Sequence, residues 1–297
     1  MARSFAGAGV ALVTPFKKDE SLDEAALRKL VRRQIDGGID VLVPCGTTGE
    51  SVTLNAAEHD RVIEITIEEA KRARKVPVLA GAGSNDTRVA IEKTKRACAL
   101  GADGILSVGP YYNKPTPDGF VRHFSAVADA STVPVVVYNV PGRTGSNIDT
   151  KTLLRLAAHG NISAVKEASG SIGQIMEILR DRPAGFEVLS GDDAVTLAMM
   201  ALGGEGIISV CANQIPKEMH DLTAACARGD FNEGRRIHNR VLKLMNLNFV
   251  ESSPVPVKAS LAMMGLCEEV FRSPLAPPLD STRALLKSAL SELGLLA

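Results

Sequence analysis

The sequence predicts an α/β fold, a (β/α)8 TIM barrel carrying a small C-terminal helical domain, on three observations. Eight short apolar runs alternate with eight longer amphipathic stretches. The apolar runs barely alternate with polar residues, as strands buried on both faces of a parallel sheet do not. Glycines close several helical stretches just before the next run, at Gly37 with Gly38, at Gly101, at Gly160 and at Gly203 with Gly204; a helix C-terminus often asks for left-handed backbone there.

The strands are expected at 10–13, 41–44, 78–80, 104–108, 135–139, 162–166, 187–189 and 206–210. Helical spacing places the intervening helices at 23–35, 57–70, 87–100, 120–130, 150–158, 172–179, 194–202 and 217–227. In the first of them Ala26, Leu27, Leu30, Val31 and Gln34 share a face. Eight such units make a catalytic barrel over 1–229. The remaining 230–297 hold three helical stretches, 231–247, 257–266 and 282–293, with no good strand, and are read as a helical domain. An open doubly wound sheet would want a Gly-rich phosphate turn after an early strand, and GxGxxG is absent.

The 297 residues balance 34 basic against 34 acidic side chains. That leaves no electrostatic footprint for nucleic acid or an anionic membrane, so substrate charge falls to a few placed residues. Five cysteines are an odd number with no CxxC spacing. They argue against a disulfide framework or zinc knuckle and for reduced thiols in the cytoplasm. No apolar run approaches the roughly 18 residues that span a bilayer. Residues 5–13 have the apolarity of a weak signal segment, but Thr14-Pro-Phe-Lys-Lys18 follows where a small-residue cleavage site would stand. The segment reads as a first buried strand.

Barrels of this kind place their chemistry at the C-terminal ends of the strands. All three tyrosines fall there: Tyr111 and Tyr112 after the fourth strand, Tyr138 at the end of the fifth. They are either rim packing or hydroxyls of a proton relay. Lys166 is the one lysine of fourteen inside an expected strand; the others fall on helices or loops, where lysines are solvated. The two-residue strand period puts Ile162, Ala164 and Lys166 on one face and turns Glu167 toward the helices. A lysine aimed into a barrel is costly unless paired or neutral. Desolvation favours the neutral amine, the form that attacks a carbonyl. The bland alternative is an ion pair with an acid such as Asp192.

Gly46-Thr-Thr-Gly-Glu-Ser51 follows the second strand. Its two hydroxyls and free backbone N–H groups suit a carboxylate or phosphate, or make an ordinary turn before a helix. Arg143, on the loop after the fifth strand, is either a two-pronged carboxylate clamp or a solvated loop arginine. The five histidines lie in or beside helical stretches, which speaks against a histidine-ligated barrel metal. Cys45 and Cys211 sit near strand ends and read as small apolar residues, with no histidine nearby to activate them.

Taken together, Gly46-Thr-Thr-Gly-Glu50, Pro110-Tyr-Tyr-Asn113, Tyr138-Asn-Val-Pro-Gly-Arg-Thr144, Val165-Lys-Glu-Ala-Ser-Gly170 and Ser190-Gly-Asp-Asp193 resemble the dihydrodipicolinate synthases (4-hydroxy-tetrahydrodipicolinate synthases) of the N-acetylneuraminate lyase superfamily, over nearly the whole chain. The resemblance implies a lyase of lysine and diaminopimelate biosynthesis that condenses pyruvate with aspartate 4-semialdehyde. Lys166 would form an imine and then an enamine with pyruvate. Tyr138 would be the general acid/base. Thr47 and Tyr112 would complete a hydroxyl relay, Tyr112 reaching in from a neighbouring subunit. Thr48 would hold the pyruvate carboxylate and Arg143 that of the semialdehyde, while Gly191 leaves room and Ile208 offers a backbone carbonyl. The resemblance implies no cofactor and no metal, and a cytoplasmic homotetramer built as a dimer of dimers. Many family members have a lysine-inhibition site. His59 and Asn85 match it, but Ala56 stands where a histidine would be and Val89 where a glutamate would be. Feedback by lysine is therefore expected to be weak or absent.

Two other readings stand beside this one. A related pyruvate-dependent aldolase or dehydratase of a 2-keto-3-deoxy sugar acid would share Lys166 and Tyr138 and differ at the Arg143 loop. A metabolite-binding barrel without turnover would have little reason to keep a nucleophilic amine among hydroxyls.

Overall fold

The computed structural model describes residues 4–73 and 76–296. Eight parallel strands run through it: β1 (Gly7–Ala11), β2 (Val41–Val43), β3 (Leu79–Gly81), β4 (Gly104–Val108), β5 (Val135–Asn139), β6 (Ile162–Glu167), β7 (Glu187–Ser190) and β8 (Gly206–Ser209). Their order is β2-β1-β8-β7-β6-β5-β4-β3. The two ends of that order meet. The Leu42 N–H donates to the Pro77 carbonyl at 2.9 Å, the Gly81 N–H to the Pro44 carbonyl at 2.9 Å, and a parallel bridge joins Leu42 to Val78. The sheet is closed into a (β/α)8 barrel.

Helices α1 (Glu24–Asp36), α2 (Ala56–Arg72), α3 (Thr87–Leu100), α4 (Pro117–Asp129), the single turn α5 (Pro141–Thr144), α6 (Thr150–Ala157), α7 (Ile172–Asp181), α8 (Thr196–Ala201) and α9 (Pro216–Ala227) surround it. Asp23, Asn55, Asp86, Thr116, Asp149 and Ser171 cap six of them by accepting a free backbone N–H. The strand period sorts the side chains. Val136 and Tyr138 point inward with Val43, Leu79, Leu106 and Leu189, while Val135, Val137 and Val165 pack outward on the helices. Phe5, just before β1, is buried with the inner group. A Cβ on Gly104 would lie 2.3 Å from the Phe5 ring, so Phe5 fills the N-terminal mouth of the barrel.

Two local expectations need correction. β1 starts at Gly7 and ends at Ala11, three residues earlier than apolarity suggested at its start. A Cβ on Gly7 would meet the Asp40 carboxylate at 2.4 Å, and one on Gly9 the Ile207 carbonyl at 3.1 Å. The glycines are what let β1 sit between β2 and β8, and a hydropathy reading passes over them. In β6, Val135 pairs with Ile162 but Val136 pairs with Ala164, leaving Ser163 as an extra residue. That irregularity turns Ile162 outward while Ala164 points inward, so the two do not share a face. The inward direction of Lys166 is set after the bulge.

Helices α10 (Phe231–Leu247), α11 (Val255–Met263) and α12 (Asp280–Glu292) follow the barrel. Val241, Leu244, Leu286 and Leu290 join the same apolar core as Met219 and Leu222 of α9. Val257 and Leu261 of α11 pack with Val13, Leu30 and Val210, which places α11 against the C-terminal ends of β1 and β8. No helix among the described residues is long and apolar enough to cross a membrane.

A Cβ on Gly81 would fall 2.2 Å from the Cys45 carbonyl, at the seam where β3 meets β2. Gly81→Ala should therefore cost about 2 kcal/mol or more of unfolding free energy by overpacking. Urea denaturation should show a lower midpoint with an unchanged slope.

Candidate active site

Strand register brings the reactive side chains together. Tyr138 lies directly opposite Lys166, and Lys166 opposite Leu189. Lys166 Nζ sits 4.2 Å from the centroid of the Tyr138 ring, and the lysine is only 5% exposed. The acids that could neutralise it are engaged elsewhere. Asp192 accepts the Ala194 N–H at 3.0 Å. Asp193 accepts from the Ser209 hydroxyl and from the N–H groups of Val210 and Cys211. Burial consequently pulls the Lys166 pKa from 10.5 down to about 7, opposed by the charge of Asp193 and assisted by Arg143. Burial pushes the Tyr138 phenol up to about 12, against the pull of Arg143. Near neutral pH the amine is partly unprotonated while Tyr138 keeps its proton. Gly191 makes space for this pair: a Cβ there would lie 2.7 Å from Ala168 Cβ and 3.1 Å from Lys166 Cε. Ile208 is buried in the inner cluster with Tyr138 and Leu189.

Above Tyr138 opens a cavity of about 420 Å³, whose walls include Thr47, Tyr111, Val140, Arg143 and Thr144. Arg143 belongs to α5, and its Nη2 donates to the Ser253 carbonyl at 3.1 Å. The loop that carries it is tied down by Asn139. The Asn139 side-chain oxygen accepts the Ile148 N–H at 3.0 Å, and its amide donates to Asn147 Oδ1 at 2.9 Å and to Glu167 Oε2 at 3.0 Å. Glu167 also accepts the Ser169 N–H at 2.6 Å. It thus faces outward, as the strand period predicts, and burial raises its pKa. On the opposite wall, Cys45 at φ 57° and Glu50 at φ 52° bracket the Thr47 turn in left-handed backbone. Inside it the Gly49 N–H donates to the Gly46 carbonyl and the Glu50 N–H to the Thr47 carbonyl, each at 3.1 Å. The Thr14 hydroxyl donates to the Gly49 carbonyl at 2.7 Å. Thr47 opens onto the cavity and Thr48 is buried.

One chain therefore gathers Thr47, Tyr138 and Arg143 around the cavity, with Lys166 and Gly191 beneath it. Tyr112 is not among them. It is 89% exposed, with φ 73°, and Tyr111 lines the cavity instead. That agrees with a residue expected to serve a neighbouring subunit, but two other expectations change. A histidine does lie beside Cys45, whose Sγ is 3.5 Å from the His59 carbonyl. But the His59 ring meets the Gly81 carbonyl through Nε2 at 2.9 Å, and burial raises the Cys45 and Cys211 thiols, so neither is an activated nucleophile. Lys166 is also not alone in leaving solvent: Lys258 on α11 is wholly buried, 2.6 Å from Glu50. The signal was present as a single lysine inside Val255-Pro-Val-Lys-Ala-Ser-Leu-Ala-Met263, a helix with almost no polar face. Among the described residues no group of three or more His, Cys, Asp or Glu is placed to hold a metal.

The comparisons with known proteins run the length of the chain. The model of the Dihydrodipicolinate synthetase family matches residues 4–293. A protein of Chloroherpeton thalassium named 4-hydroxy-tetrahydrodipicolinate synthase is 55% identical over 294 residues, covering 99% of this chain and 97% of its own. One of the same name from Koribacter versatilis is 54% identical, covering 98% and 96%. The crystal structure of dihydrodipicolinate synthase from Thermotoga maritima superposes with a TM-score of 0.96 at 41% identity, covering 99% of this chain and 100% of that one. That of the chloride-inhibited enzyme from Acinetobacter baumannii complexed with pyruvate gives the same TM-score, 0.96, the same identity, 41%, and the same coverage, 99% and 100%. A closed barrel with a desolvated lysine at its C-terminal mouth, matched end to end in sequence and in shape, places this chain in the dihydrodipicolinate synthetase family.

Proposed function

We propose that the chain condenses pyruvate with aspartate 4-semialdehyde to give 4-hydroxy-tetrahydrodipicolinate, the step toward lysine and diaminopimelate, with Lys166 as the imine-forming nucleophile. The observation that carries this reading is the buried Lys166 amine against Tyr138, with both nearby carboxylates engaged elsewhere. The names of the relatives and the pyruvate complex of the Acinetobacter baumannii enzyme support it.

The chemistry follows from the geometry. The neutral Lys166 amine attacks the keto carbon, and the former carbonyl oxygen leaves as water once protonated. The imine nitrogen then draws electrons as a methyl proton departs, giving an enamine. Its carbon forms a bond to the semialdehyde carbonyl. Attack of the semialdehyde's own amino group on the imine carbon closes the ring and releases Lys166. Tyr138, its proton held by burial, delivers and recovers protons at the carbinol. Thr47, and Tyr112 supplied by a second copy, extend the relay to solvent. Thr48 and the backbone of its turn receive the pyruvate carboxylate, with Ile208 and Gly191 shaping the floor. Arg143 on the outer wall receives the carboxylate of the semialdehyde, which favours this substrate over a hydroxyl-rich sugar acid.

The exposed Tyr112, and Val52 at 76% exposure near the same rim, fit a chain that works as an oligomer, with a dimer of dimers as the expected form. Five free thiols suit the reducing cytoplasm. The division into 1–229 and 230–297 separates the residues that do the chemistry from helices that brace them.

Turnover with pyruvate should be rapid with aspartate semialdehyde and slow with glyceraldehyde; the reverse preference moves the assignment to a sugar-acid aldolase. Arg143→Ala should lower kcat/KM for the semialdehyde about 10–100-fold, the scale of a lost charged hydrogen bond. Borohydride should still fix pyruvate on Lys166 in that variant, and unchanged second-substrate kinetics would count against the clamp.

The pH dependence follows from the lowered lysine pKa. Below about pH 7 Lys166 is charged in the folded and the unfolded chain, and the folded state carries the whole desolvation penalty. Between about 7 and 10.5 the folded chain gives up the proton first and the penalty fades. Lys166→Met should therefore raise the Tm most below pH 7, with the gain shrinking toward pH 10. A gain independent of pH contradicts a low lysine pKa.

Val89 and Lys93 line the cavity near Ser84. Val89 offers no acid to an effector's ammonium group and Ala56 no imidazole, so lysine should inhibit weakly or not at all. Strong inhibition at low lysine concentration in a steady-state assay overturns this.

A further inference from the structure

The buried pair of Lys258 and Glu50 lies outside the chemistry described above, yet it touches the turn that receives pyruvate. Lys258 Nζ is 2.6 Å from Glu50 Oε1, with both side chains shielded from solvent. The other carboxylate oxygen accepts the Arg272 N–H at 3.3 Å. Phe16 covers the ammonium, its ring centroid 4.1 Å away. A buried ion pair is often no more stabilising than apolar residues of the same volume, so stability alone does not explain it.

Its position does. Glu50 holds left-handed backbone at φ 52°, a conformation that non-glycine residues keep only where their surroundings over-determine it. Its N–H donates to the Thr47 carbonyl, and its own carbonyl accepts from the Thr53 N–H and the Thr53 hydroxyl, each at 3.0 Å. The backbone at Glu50 thus sets the far end of the turn that carries Thr47 and Thr48, and its carboxylate is anchored at two points, by Lys258 of α11 and by the Arg272 N–H in the segment after α11. Arg272 adds a strap, donating to the carbonyls of Thr53 at 2.8 Å and Glu20 at 2.6 Å and pairing with Glu58. Lys258 also cancels the Glu50 charge, which unpaired would repel a substrate carboxylate.

We propose that Lys258 and Glu50 are positioning residues: their buried contact fixes the Thr47 and Thr48 turn in the shape that receives the carboxylate of the keto acid. The inference rests on Lys166 being the imine-forming lysine.

The test uses the double variant Glu50→Gln/Lys258→Met, which removes both charges without leaving either unpaired. Borohydride fixation on Lys166 is measured against graded pyruvate, and separately against acetone, a ketone without a carboxylate, alongside the Tm. The double variant is expected to melt near the parent. Its half-saturating pyruvate should rise about tenfold or more, the scale of a misplaced binding group, while acetone labelling stays within about twofold. Unchanged half-saturation in the folded variant overturns the proposal, as does a loss of acetone labelling in step with pyruvate. If the double variant does not fold, Glu50→Asp keeps the charge and shortens its reach. A pyruvate-selective loss in that variant supports positioning, and the absence of one overturns it. A parent enzyme that fixes no pyruvate on Lys166 overturns the imine reading itself, and this inference with it.

Discussion

Everything at the mouth of this barrel turns on keeping one ammonium group out of water without giving it a carboxylate. Lys166 is buried by the closed sheet around it and by Tyr138 beside it, and the two acids after β7, Asp192 and Asp193, are engaged by the backbone and Ser209. A charged amine left in that position destabilises the folded chain. The same penalty pulls the amine's pKa down to about 7, which suits the imine-forming role proposed for it. Stability and reactivity are therefore set against each other at a single side chain, and the surrounding core has to carry the difference.

The loops around the lysine are held by polar contacts of a different kind. Asn139 and Glu167 stand on the outward faces of the strands whose inward faces carry Tyr138 and Lys166. The strand period therefore couples the inner face to anchoring outside: Asn139, next to Tyr138, holds Asn147 and Ile148 of the Arg143 loop, and Glu167, next to Lys166, holds Asn139 and the Ser169 N–H. On the opposite wall the anchor comes from much farther along the chain, through α11 and Arg272. The C-terminal helices are thus structural parts of the site although they contribute no reacting group.

The barrel was legible because buried parallel strands are apolar and the glycines between them mark helix ends. Lys166 stood out because a lysine inside such a run has no solvated explanation. Most of what escaped had no local signature, and Lys258 had only the apolar run around it. The start of β1 is glycine, which contributes no hydropathy, and the extra residue at Ser163 looks like an ordinary alternating position. Lys258 was passed over because a lysine on a helix is usually solvated, and only packing on every side of α11 removes that option. The placement of Tyr112 came from family resemblance alone, since nothing in the spacing of two adjacent tyrosines says which one faces its own cavity.

Phe5 packs with the inner side chains at the N-terminal end of the barrel, while the cavity walled by Thr47, Tyr138 and Arg143 lies at the other end. On the imine chemistry proposed for Lys166, that placement sets an order of uptake. The keto acid goes to the lysine first, and the aldehyde follows onto the enamine from the side where Arg143 stands. A phenylalanine at the far end of the molecule thereby belongs to the packed floor on which that order rests.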